Sequence, residues 1–330
     1  MVVSVAKLPS PGETVFGSSL LLRPGGKGAN QAVAATVLGG QAYLVGKIGD
    51  DSAGRQIVAQ LAGKGVDTSM VAMEPGKATG IAMILVDSSG ENIIAVAPGA
   101  NSDVGEDRIN AAVDILEKSG GVAVVQFELP IETTVAATQK FISMDGITTL
   151  INPSPVPSIP MEKLQGADVM VVNEVEAEEI AGTDRHIESH LQALDAARRI
   201  AACGINTVII TLGHLGAVMY SGRHSSSRHN GSTEEYSIAA NPPPVRVVDT
   251  TGAGDAFMGG LVAGVSKGWT MEESFGYAMR AGAMATTKMG AQEALPYVVD
   301  ADDFASRLPL TIFNPATGNS TTSSEVHVNA

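Results

Sequence analysis

Short apolar runs alternate with amphipathic stretches along most of the 330 residues of this chain. The amphipathic stretches, such as residues 106–120 and 189–204, repeat their apolar side chains with the period of an α-helix. Strands that alternate with helices favour βαβ units, in which helices cover both faces of a parallel sheet. We therefore predict an α/β fold with a doubly wound, mostly parallel sheet. The runs that we assign to its strands are residues 42–48, 122–127, 148–151, 169–172, 207–211 and 245–248.

Two segments near the amino terminus do not follow this alternation. Residues 80–99 form two apolar runs on either side of the sequence DSSG, which is the pattern of a β-hairpin. Residues 12–26 also have an extended character. We predict that these segments, within about 10–25 and 78–100, form a small β-flap that acts as a lid on the main domain.

The main domain is predicted to occupy residues 1–308. Within it, residues 221–244 are polar and rich in proline, which predicts a surface insertion. Residues 309–330 have too little apolar content to order themselves, which predicts a disordered tail.

Composition excludes several functional classes. A net charge of -14 argues against a nucleic-acid surface, although backbone amides can still bind a phosphate group inside an acidic protein. Cys203 is the only cysteine, so disulfide scaffolds and cysteine zinc sites are excluded. No run has the length of a membrane span, and the amino terminus lacks the pattern of a signal peptide. We predict a cytoplasmic protein, with the nucleus as an alternative location.

Polar residues follow the predicted strands at the point where each strand ends. In open parallel sheets, ligands bind beyond the carboxyl ends of the strands. Strand ends also carry polar residues because they meet water, but five such positions on one edge favour a shared cleft. These residues are Glu128, Asn152, Asn173, Thr211 and Asp249.

The sequence VVDTTGAGDAFMGG, residues 247–260, predicts a cradle for a phosphoryl group. Gly252, Ala253 and Gly254 have almost no side chains, so a ligand can approach their amides closely. The apolar helix that follows adds unpaired N–H groups and the positive end of its dipole. Asp255 stands at the lip of this cradle and could accept the proton of an attacking hydroxyl. The alternative is that Asp255 simply caps the helix.

Other motifs are excluded or remain ambiguous. GAGDAF is not a dinucleotide fingerprint, because Phe257 replaces its third small residue. The sequence RPGGKGANQA is not a P-loop, because Gly28 follows Lys27 where Ser or Thr should bind magnesium. Lys27 and Asn30 instead suit the recognition of hydroxyl groups at the hinge of the flap, with a plain flexible turn as the alternative. His186 and His190 lack a third ligand for a metal site.

Two signatures in order resemble those of the ribokinase-like (PfkB) sugar kinase family. They are GGKGANQAVAATVLGG, residues 25–40, and DTTGAGDAFMGG, residues 249–260, and the likeness extends from about residue 6 to about residue 308. The resemblance implies a kinase that uses ATP, Mg²⁺ and K⁺ to phosphorylate the 5-hydroxyl of D-ribose. It also implies that the flap covers the sugar and pairs with the flap of a second subunit in a homodimer.

The resemblance also implies a role for each matched residue. Asp255 would be the catalytic base, and the amides of Gly252, Ala253 and Gly254 would form the anion hole. The remaining residues contact the sugar, the nucleotide, magnesium or potassium. In that order they are Gly26, Lys27, Asn30 and Glu128 for the sugar; Asn173, Thr211, Gly213, Gly216 and Gly254 for the nucleotide; Glu176 for magnesium; and Asp249, Thr251, Ala285, Lys288, Gly290 and Ala294 for potassium.

The sequence departs from the family pattern at three places. The family begins with a core strand that ends in Asn-x-Asp, and we expect this strand and its sugar ligand to be missing here. Met279 stands where the family often has a polar residue near adenine, and Ala294 replaces a small residue that is often serine. The alternatives are therefore another sugar or nucleoside kinase of the family, or an N-terminally truncated form with impaired catalysis. A dinucleotide oxidoreductase is a further, weaker alternative.

Overall fold

The computed structural model describes residues 1–183, 185–222, 235–297, 310–318 and 320–323. The strands in these residues are β1 (Val2–Val5), β2 (Gly17–Leu21), β3 (Gly46–Gly49), β4 (Val71–Glu74), β5 (Ile81–Val86), β6 (Asn92–Ala97), β7 (Gly121–Gln126), β8 (Ile147–Asn152), β9 (Val169–Asn173), β10 (Thr207–Thr211), β11 (Ala217–Ser221), β12 (Tyr236–Ala240), β13 (Leu310–Phe313) and β14 (Ser320–Ser323). The helices are α1 (Lys27–Val37), α2 (Ser52–Gly63), α3 (Glu106–Ser119), α4 (Ile131–Ser143), α5 (Glu174–Ala181), α6 (His190–Ala201), α7 (Ala253–Ser266) and α8 (Met271–Ala285), with short 3₁₀ helices at Gly99–Asp103, Met161–Leu164 and Gly213–Leu215.

The predicted α/β fold is confirmed, and its main sheet is mixed. The strand order is β14-β13-β12-β11-β10-β9-β8-β7. Strands β7 to β10 are parallel to one another, whereas each pair from β10 to β14 is antiparallel. The parallel half therefore has one edge at which all its carboxyl ends meet.

Helices cover both faces of the parallel half, which explains the continuous apolar runs of its strands. On β9, Met170 packs into a buried cluster with residues of α6, whereas its neighbour Val171 packs into a cluster with residues of α7 and α8. This alternation follows from the opposite directions of successive side chains along a strand. Within the described ranges, no helix has both the length and the apolar character needed to cross a membrane.

The predicted flap is a separate four-stranded sheet with the order β2-β1-β5-β6. The hairpin expected around DSSG is confirmed, because β5 and β6 pair in antiparallel register from Ile81–Ala97 to Val86–Asn92. The first residues of the chain also belong to this sheet, since β1 lies between β2 and β5.

Two of the predicted core strands are wrong in whole or in part. Residues 245–248 form no strand, and Val247 and Val248 are 59% and 50% exposed. The position next to β10 is taken by β11, and the three prolines just before the run have no N–H groups to donate to a neighbouring strand. The run 42–48 contributes only its end to β3, because the residues before Gly46 make just an isolated bridge between Tyr43 and Asp67.

The predicted insertion and tail also contain ordered strands. Ser221 ends β11 and is buried, and β12 pairs with both β11 and β13 inside the range 221–244. In the tail, β13 joins the sheet because Leu310 and Ile312 alternate toward the cluster beneath α8. The prediction of disorder is therefore wrong for β13 and β14. Residues 223–234 of the predicted insertion and residues 309, 319 and 324–330 of the predicted tail lie outside the described residues.

Candidate active site

The carboxyl ends of the parallel strands align along one edge, as the sequence predicts, but Asp249 does not end a strand there because residues 245–248 form none. Gln126 at the end of β7 lies opposite Asn152 at the end of β8, and Asn173 at the end of β9 lies opposite Thr211 at the end of β10. These four polar residues therefore form one row at the edge where α/β sheets bind ligands.

Helices α1 and α7 bring the two signature sequences together above this row. Each helix begins at a glycine with positive φ, 94° at Gly26 and 77° at Gly252, a conformation that residues with a Cβ rarely adopt. The helices pack in close contact, because a Cβ at Gly259 of α7 would lie 2.3 Å from Cβ of Ala34 on α1. The start of α1 therefore faces the start of α7.

Asp255 is held by α1 and does not cap its own helix. Its Oδ2 accepts a hydrogen bond of 2.8 Å from the side-chain amide of Asn30, and its Oδ1 accepts one of 3.1 Å from Gln31. The N-cap of α7 is Gly252, and no side chain caps that helix end. The capping alternative for Asp255 is thus wrong, and its carboxylate is a half-buried acceptor at the mouth of a helix.

The predicted anion hole is only partly available. The amide of Ala253 donates to the carbonyl of Thr250 at 3.2 Å, so this N–H is already engaged. Among the described residues, the amides of Gly252 and Gly254 have no acceptor. A Cβ at Gly254 would meet nothing within 4 Å, so a ligand has open access to the backbone there.

The Glu128 side chain contacts the first residue of α1. Its Oε2 accepts a hydrogen bond of 2.7 Å from the amide of Lys27, and it lies 3.9 Å from the position that a Cβ on Gly26 would occupy. Gly26, Lys27, Asn30 and Glu128, predicted to contact a sugar, are therefore adjacent to one another and to the predicted base.

Burial raises the pKa of both carboxyl groups, that of Asp255 and that of Glu128. Burial raises the pKa of Asp255 above its ordinary value, and the hydrogen bonds from Asn30 and Gln31 and the charge of Lys27 offset part of this rise. Burial also raises the pKa of Glu128, against the hydrogen bond and charge of Lys27, and the nearby charge of Asp255 raises it further. A carboxylate with a raised pKa is a stronger base, which suits proton abstraction by Asp255.

A network of amide side chains supports Asp255, and most of this network was not predicted from the sequence. Gln31 accepts a hydrogen bond of 2.6 Å from Gln126 and donates one of 3.0 Å to Asn152. Gln292 donates to Asn30 at 2.9 Å, which fixes the orientation of the Asn30 amide so that its NH₂ group faces Asp255. Gln31 lies within the first signature, but no role was predicted for it, and Gln126 and Gln292 belong to neither signature. The only available signal was their polarity within otherwise apolar segments.

Asn173 and Glu176 form a reciprocal helix cap. Asn173 Oδ1 accepts from the amide of Glu176 at 2.8 Å, and Glu176 Oε2 accepts from the amide of Asn173 at 3.0 Å. The N-x-x-E pattern is therefore explained at least by the capping of α5. One carboxylate beside bound phosphate groups is a donor set that Mg²⁺ commonly uses, so Glu176 also fits the predicted magnesium role.

The predicted nucleotide residues lie around the end of β10. Thr211 ends that strand, and Gly213 and Gly216 bound the short 3₁₀ helix that follows. Gly216 has a φ of 89°, and a Cβ there would lie 1.9 Å from the carbonyl oxygen of Ala240. Only glycine fits this turn. Met279 is buried in the cluster with α7.

Asp249, Thr251 and Gly290, which the resemblance assigns to potassium, meet in one loop cluster. Asp249 Oδ1 accepts from the amide and the hydroxyl of Thr251 at 2.9 and 2.7 Å, and its Oδ2 accepts from the amide of Gly290 at 2.8 Å. Burial alone would raise the pKa of Asp249, but these hydrogen bonds hold it below its ordinary value.

The end of α8 faces the same loop, because the amide of Asp249 donates to the carbonyl of Thr286. Carbonyl groups at the carboxyl end of a helix suit a cation. Ala285 is buried at the end of α8, Lys288 is exposed, and Ala294 is buried. Ala294 can offer only backbone oxygen. In the described residues, no group of three or more His, Cys, Asp or Glu side chains could hold a metal ion.

Comparison of the whole sequence with known protein families identifies the family of this chain. A family model described as pfkB family carbohydrate kinase matches residues 2–297. The chain belongs to the pfkB family of carbohydrate kinases.

Individual members of this carbohydrate kinase family are similar over nearly the whole chain. A ribokinase of Haemophilus influenzae is 34% identical over 295 residues, which cover 89% of this chain and 91% of that protein. A deoxyribokinase of Salmonella typhi is 30% identical over 307 residues, which cover 93% and 95%. The structure of Arabidopsis thaliana ribokinase complexed with ribose and ATP has a TM-score of 0.77 at 25% identity, with 92% and 94% of the two chains covered.

Proposed function

We propose that this protein transfers the γ-phosphoryl group of ATP to the 5-hydroxyl of D-ribose. The observation that carries the proposal is the Asp255 carboxylate, held by Asn30 and Gln31 beside the free amides at the mouth of α7. The ribokinase relatives, and the ribokinase structure that contains ribose and ATP, support this pair of substrates.

The chemistry needs a base, a stabilised phosphoryl group and a fixed acceptor. Asp255 takes the proton of the sugar hydroxyl. As it does so, the hydroxyl oxygen of the sugar bonds to the γ-phosphorus, and the bond between the γ-phosphorus and the departing ADP breaks. The amides of Gly252 and Gly254 donate to the phosphoryl oxygens, which is the main protein contribution to such transfers. Lys27 and Glu128 bind the sugar hydroxyls and fix the distance to the base.

The remaining predicted roles belong to the same proposal. Asn173, Thr211, Gly213 and Gly216 would hold ATP along the ends of β9 and β10. Glu176 would help to hold Mg²⁺, which neutralises phosphate charge when it is bound. Asp249, with backbone oxygens of the loop after α8, would hold K⁺ and so fix the loop that packs on Gly252, where a Cβ would lie 3.0 Å from Cα of Ala291.

The lid would close over the sugar and exclude water, which competes as a phosphoryl acceptor. The lid exposes large apolar side chains, with Val96 of β6 65% exposed and Phe16 and Leu22, which flank β2, 93% and 71% exposed. Exposed apolar patches of this kind mark protein interfaces, so the proposal includes a homodimer formed through the lid. A cytoplasmic location remains a prediction from the sequence, with the nucleus as its alternative.

An acceptor panel tests the proposal. The full chain is incubated with ATP and Mg²⁺, with or without K⁺, and with D-ribose, 2-deoxy-D-ribose, a hexose or a nucleoside at matched concentration. Phosphorus NMR then identifies the phosphorylated oxygen. We expect ribose 5-phosphate to be the preferred product. Folded protein that binds ATP but transfers nothing to any acceptor would refute the kinase and favour the impaired form.

One specific observation supports a second acceptor. The Salmonella deoxyribokinase is 30% identical with similar coverage, so 2-deoxy-D-ribose is the first competitor to D-ribose. A higher kcat/KM for 2-deoxy-D-ribose would replace the substrate in the proposal and leave the role of Asp255 unchanged.

A further inference from the structure

His190 contacts the loop that is predicted to hold the nucleotide. This loop comprises residues 212–216 between β10 and β11, and we call it the nucleotide loop. The Nε2 atom of His190 lies 2.7 Å from the carbonyl oxygen of Leu215 in this loop. A carbonyl oxygen only accepts hydrogen bonds, so Nε2 carries a hydrogen and donates it. Sequence spacing related His190 only to a metal site, whereas its observed partner is the nucleotide loop.

The backbone of His190 is fixed by its helix. His190 is the first residue of α6, and Ser189 caps this helix by accepting a hydrogen bond from the amide of Gln192. In the next turn, Ala193 and Leu194 are buried in the apolar cluster that α6 shares with the main sheet. The position of the imidazole therefore depends on the groups that contact its ring.

The ring of Phe313 lies against the imidazole of His190. The two ring centroids are 5.2 Å apart and the ring planes meet at 85°, which is a favourable edge-to-face arrangement. Phe313 is the last residue of β13, and Leu310 and Ile312 of the same strand are only 1% and 4% exposed. The buried strand thus holds Phe313 in place, and Phe313 keeps the imidazole where it reaches Leu215.

Strand β13 also supports the nucleotide loop through β12. Ile312 of β13 lies opposite Ala240 of β12. The carbonyl oxygen of Ala240 lies so close to Gly216 that a Cβ there would approach it to 1.9 Å. One strand therefore supports the nucleotide loop at two neighbouring residues, Leu215 through His190 and Gly216 through Ala240.

Neither of these two links is part of the family signatures. Strand β13 lies beyond residues 2–297, which the family model matches. His190 lies between the two signatures, outside both. The links must therefore be interpreted from the contacts themselves.

We propose that His190 is a positioning residue for the nucleotide, and that Phe313 of the β13–β14 hairpin keeps His190 in place. A loop that is ordered before binding holds its ligand more tightly, because the entropy of ordering is not lost again on binding. His190 and Phe313 supply this order to the loop that carries Gly213 and Gly216. The identity of the ligand rests on the proposed function, whereas the ordering of the loop by His190 does not.

The proposal predicts which constants change when the contact is lost. The contacts of His190 reach the nucleotide loop and β13, whereas Lys27, Asn30 and Asp255 belong to the first turns of α1 and α7. Loss of the contact should therefore weaken the binding of ATP and ADP and leave the saturated rate unchanged. A merely structural role for His190 would lower the free energy of unfolding and leave nucleotide affinity as it is.

Three substitutions in the full chain separate the hydrogen bond from the ring contact. His190→Phe keeps a ring but has no donor, whereas His190→Gln keeps an N–H donor without the ring. Phe313→Leu keeps an apolar side chain without the ring. The matched control is His186→Phe, the same change at a histidine whose side chain is 88% exposed and contacts Glu178.

Calorimetry measures the Kd for ADP, and steady-state kinetics give kcat and the KM values for ATP and D-ribose. We expect His190→Phe to raise the Kd for ADP and the KM for ATP by about three- to tenfold, the usual contribution of one hydrogen bond. The KM for ribose and kcat should stay within about twofold of the parent protein. His190→Gln should restore most of the affinity, Phe313→Leu should lose about two- to fivefold, and His186→Phe should bind as the parent does.

An ADP affinity of folded His190→Phe within about 1.5-fold of the parent would overturn the proposal. So would an equal loss in His186→Phe, or an equal rise in the KM for ribose, because either result would indicate a general effect on the structure. Where His190→Phe does not fold, Phe313→Leu carries the same comparison from outside the loop.

Hydrogen exchange keeps the proposal testable without a ligand. The amides of Leu215 and Gly216 donate to carbonyls of the same loop, those of Leu212 and Gly213, at 3.0 and 3.1 Å. We expect both amides to exchange about threefold faster or more in His190→Phe than in the parent protein. A parent protein that binds no ADP would refute the proposed function alone, whereas unchanged exchange in the variant would refute the positioning role of His190.

Discussion

Replacing Gly259 with alanine should separate the two helices that form the site. A Cβ at this position of α7 would lie 2.3 Å from Cβ of Ala34, and 2.7 and 2.8 Å from backbone atoms of Ala34 and Ala35. Carbon atoms in contact are normally about 3.5–4.0 Å apart, so α7 must move from α1 by roughly 1.2 Å or more. Overpacking of this kind costs about 1–3 kcal/mol, of which the better helix propensity of alanine returns up to about 1 kcal/mol.

The same movement should damage catalysis more than stability. It lengthens the bonds of 2.8 and 3.1 Å by which Asn30 and Gln31 hold Asp255. A displacement of about 1 Å at reacting groups can lower a rate by about 10²-fold. We therefore expect Gly259→Ala to lose about 1–2 kcal/mol in urea unfolding, and its kcat for ADP release with ribose to fall by roughly 10- to 100-fold.

The control for Gly259→Ala is Gly63→Ala on α2, where a Cβ would meet nothing within 4 Å. This variant should keep full turnover and equal or slightly higher stability, because only helix propensity changes. The reasoning is refuted if folded Gly259→Ala keeps turnover within about twofold of the parent protein, since the helix contact would then not position Asp255.

Three further predictions concern the groups around the site. Gly254→Ala should unfold at the same or a higher urea concentration but lose about tenfold or more in kcat, because its Cβ meets only the approaching phosphate; unchanged kinetics would count against the cradle. Burial raises the pKa of Asp255, so this carboxyl stabilises the fold below its ordinary pKa, and the stabilisation is lost as the pH rises. The unfolding free energy of Asp255→Asn minus that of the parent protein should therefore increase from acidic to neutral pH. A flat difference would contradict the burial of this carboxyl. Asp249→Ala removes three hydrogen bonds to a carboxylate and should lose about 2–3 kcal/mol at neutral pH together with the response to K⁺, as measured by urea unfolding and a K⁺ titration of activity; an intact K⁺ response would place the cation elsewhere.

The parallel half of the fold could be predicted because its strands are buried on both faces. Such strands are continuous apolar runs, and the four runs that became β7 to β10 were assigned correctly. Residues 245–248 have the same composition but lie exposed in a loop, because their place beside β10 is already filled by β11. Local composition cannot report whether a sheet position is occupied. The strand β12 was not predicted, because its short run of alternating buried residues lies within a polar segment that was assigned to a surface insertion.

The signature residues could be placed in the site from sequence, but their supporting contacts could not. Asn30 and Asp255 come from the two signatures and meet at 2.8 Å across 225 residues of sequence. Gln292 lies 262 residues from Asn30, and only the packing of the tertiary structure brings these side chains together. The sequence also predicted that the amide of Ala253 belongs to the anion hole, but this amide donates a hydrogen bond to the carbonyl of Thr250 in the preceding turn.

The most direct test of the account compares the parent protein with Asp255→Asn at saturating ATP and D-ribose. Phosphorus NMR measures the rate of ribose 5-phosphate formation, and calorimetry measures the Kd for ADP. We expect turnover to fall by about 10²- to 10⁴-fold, the usual contribution of a general base, while the Kd changes by no more than about threefold. Turnover within about tenfold of the parent, with the phosphate still on the 5-oxygen, would show that another group takes the proton and would contradict the account.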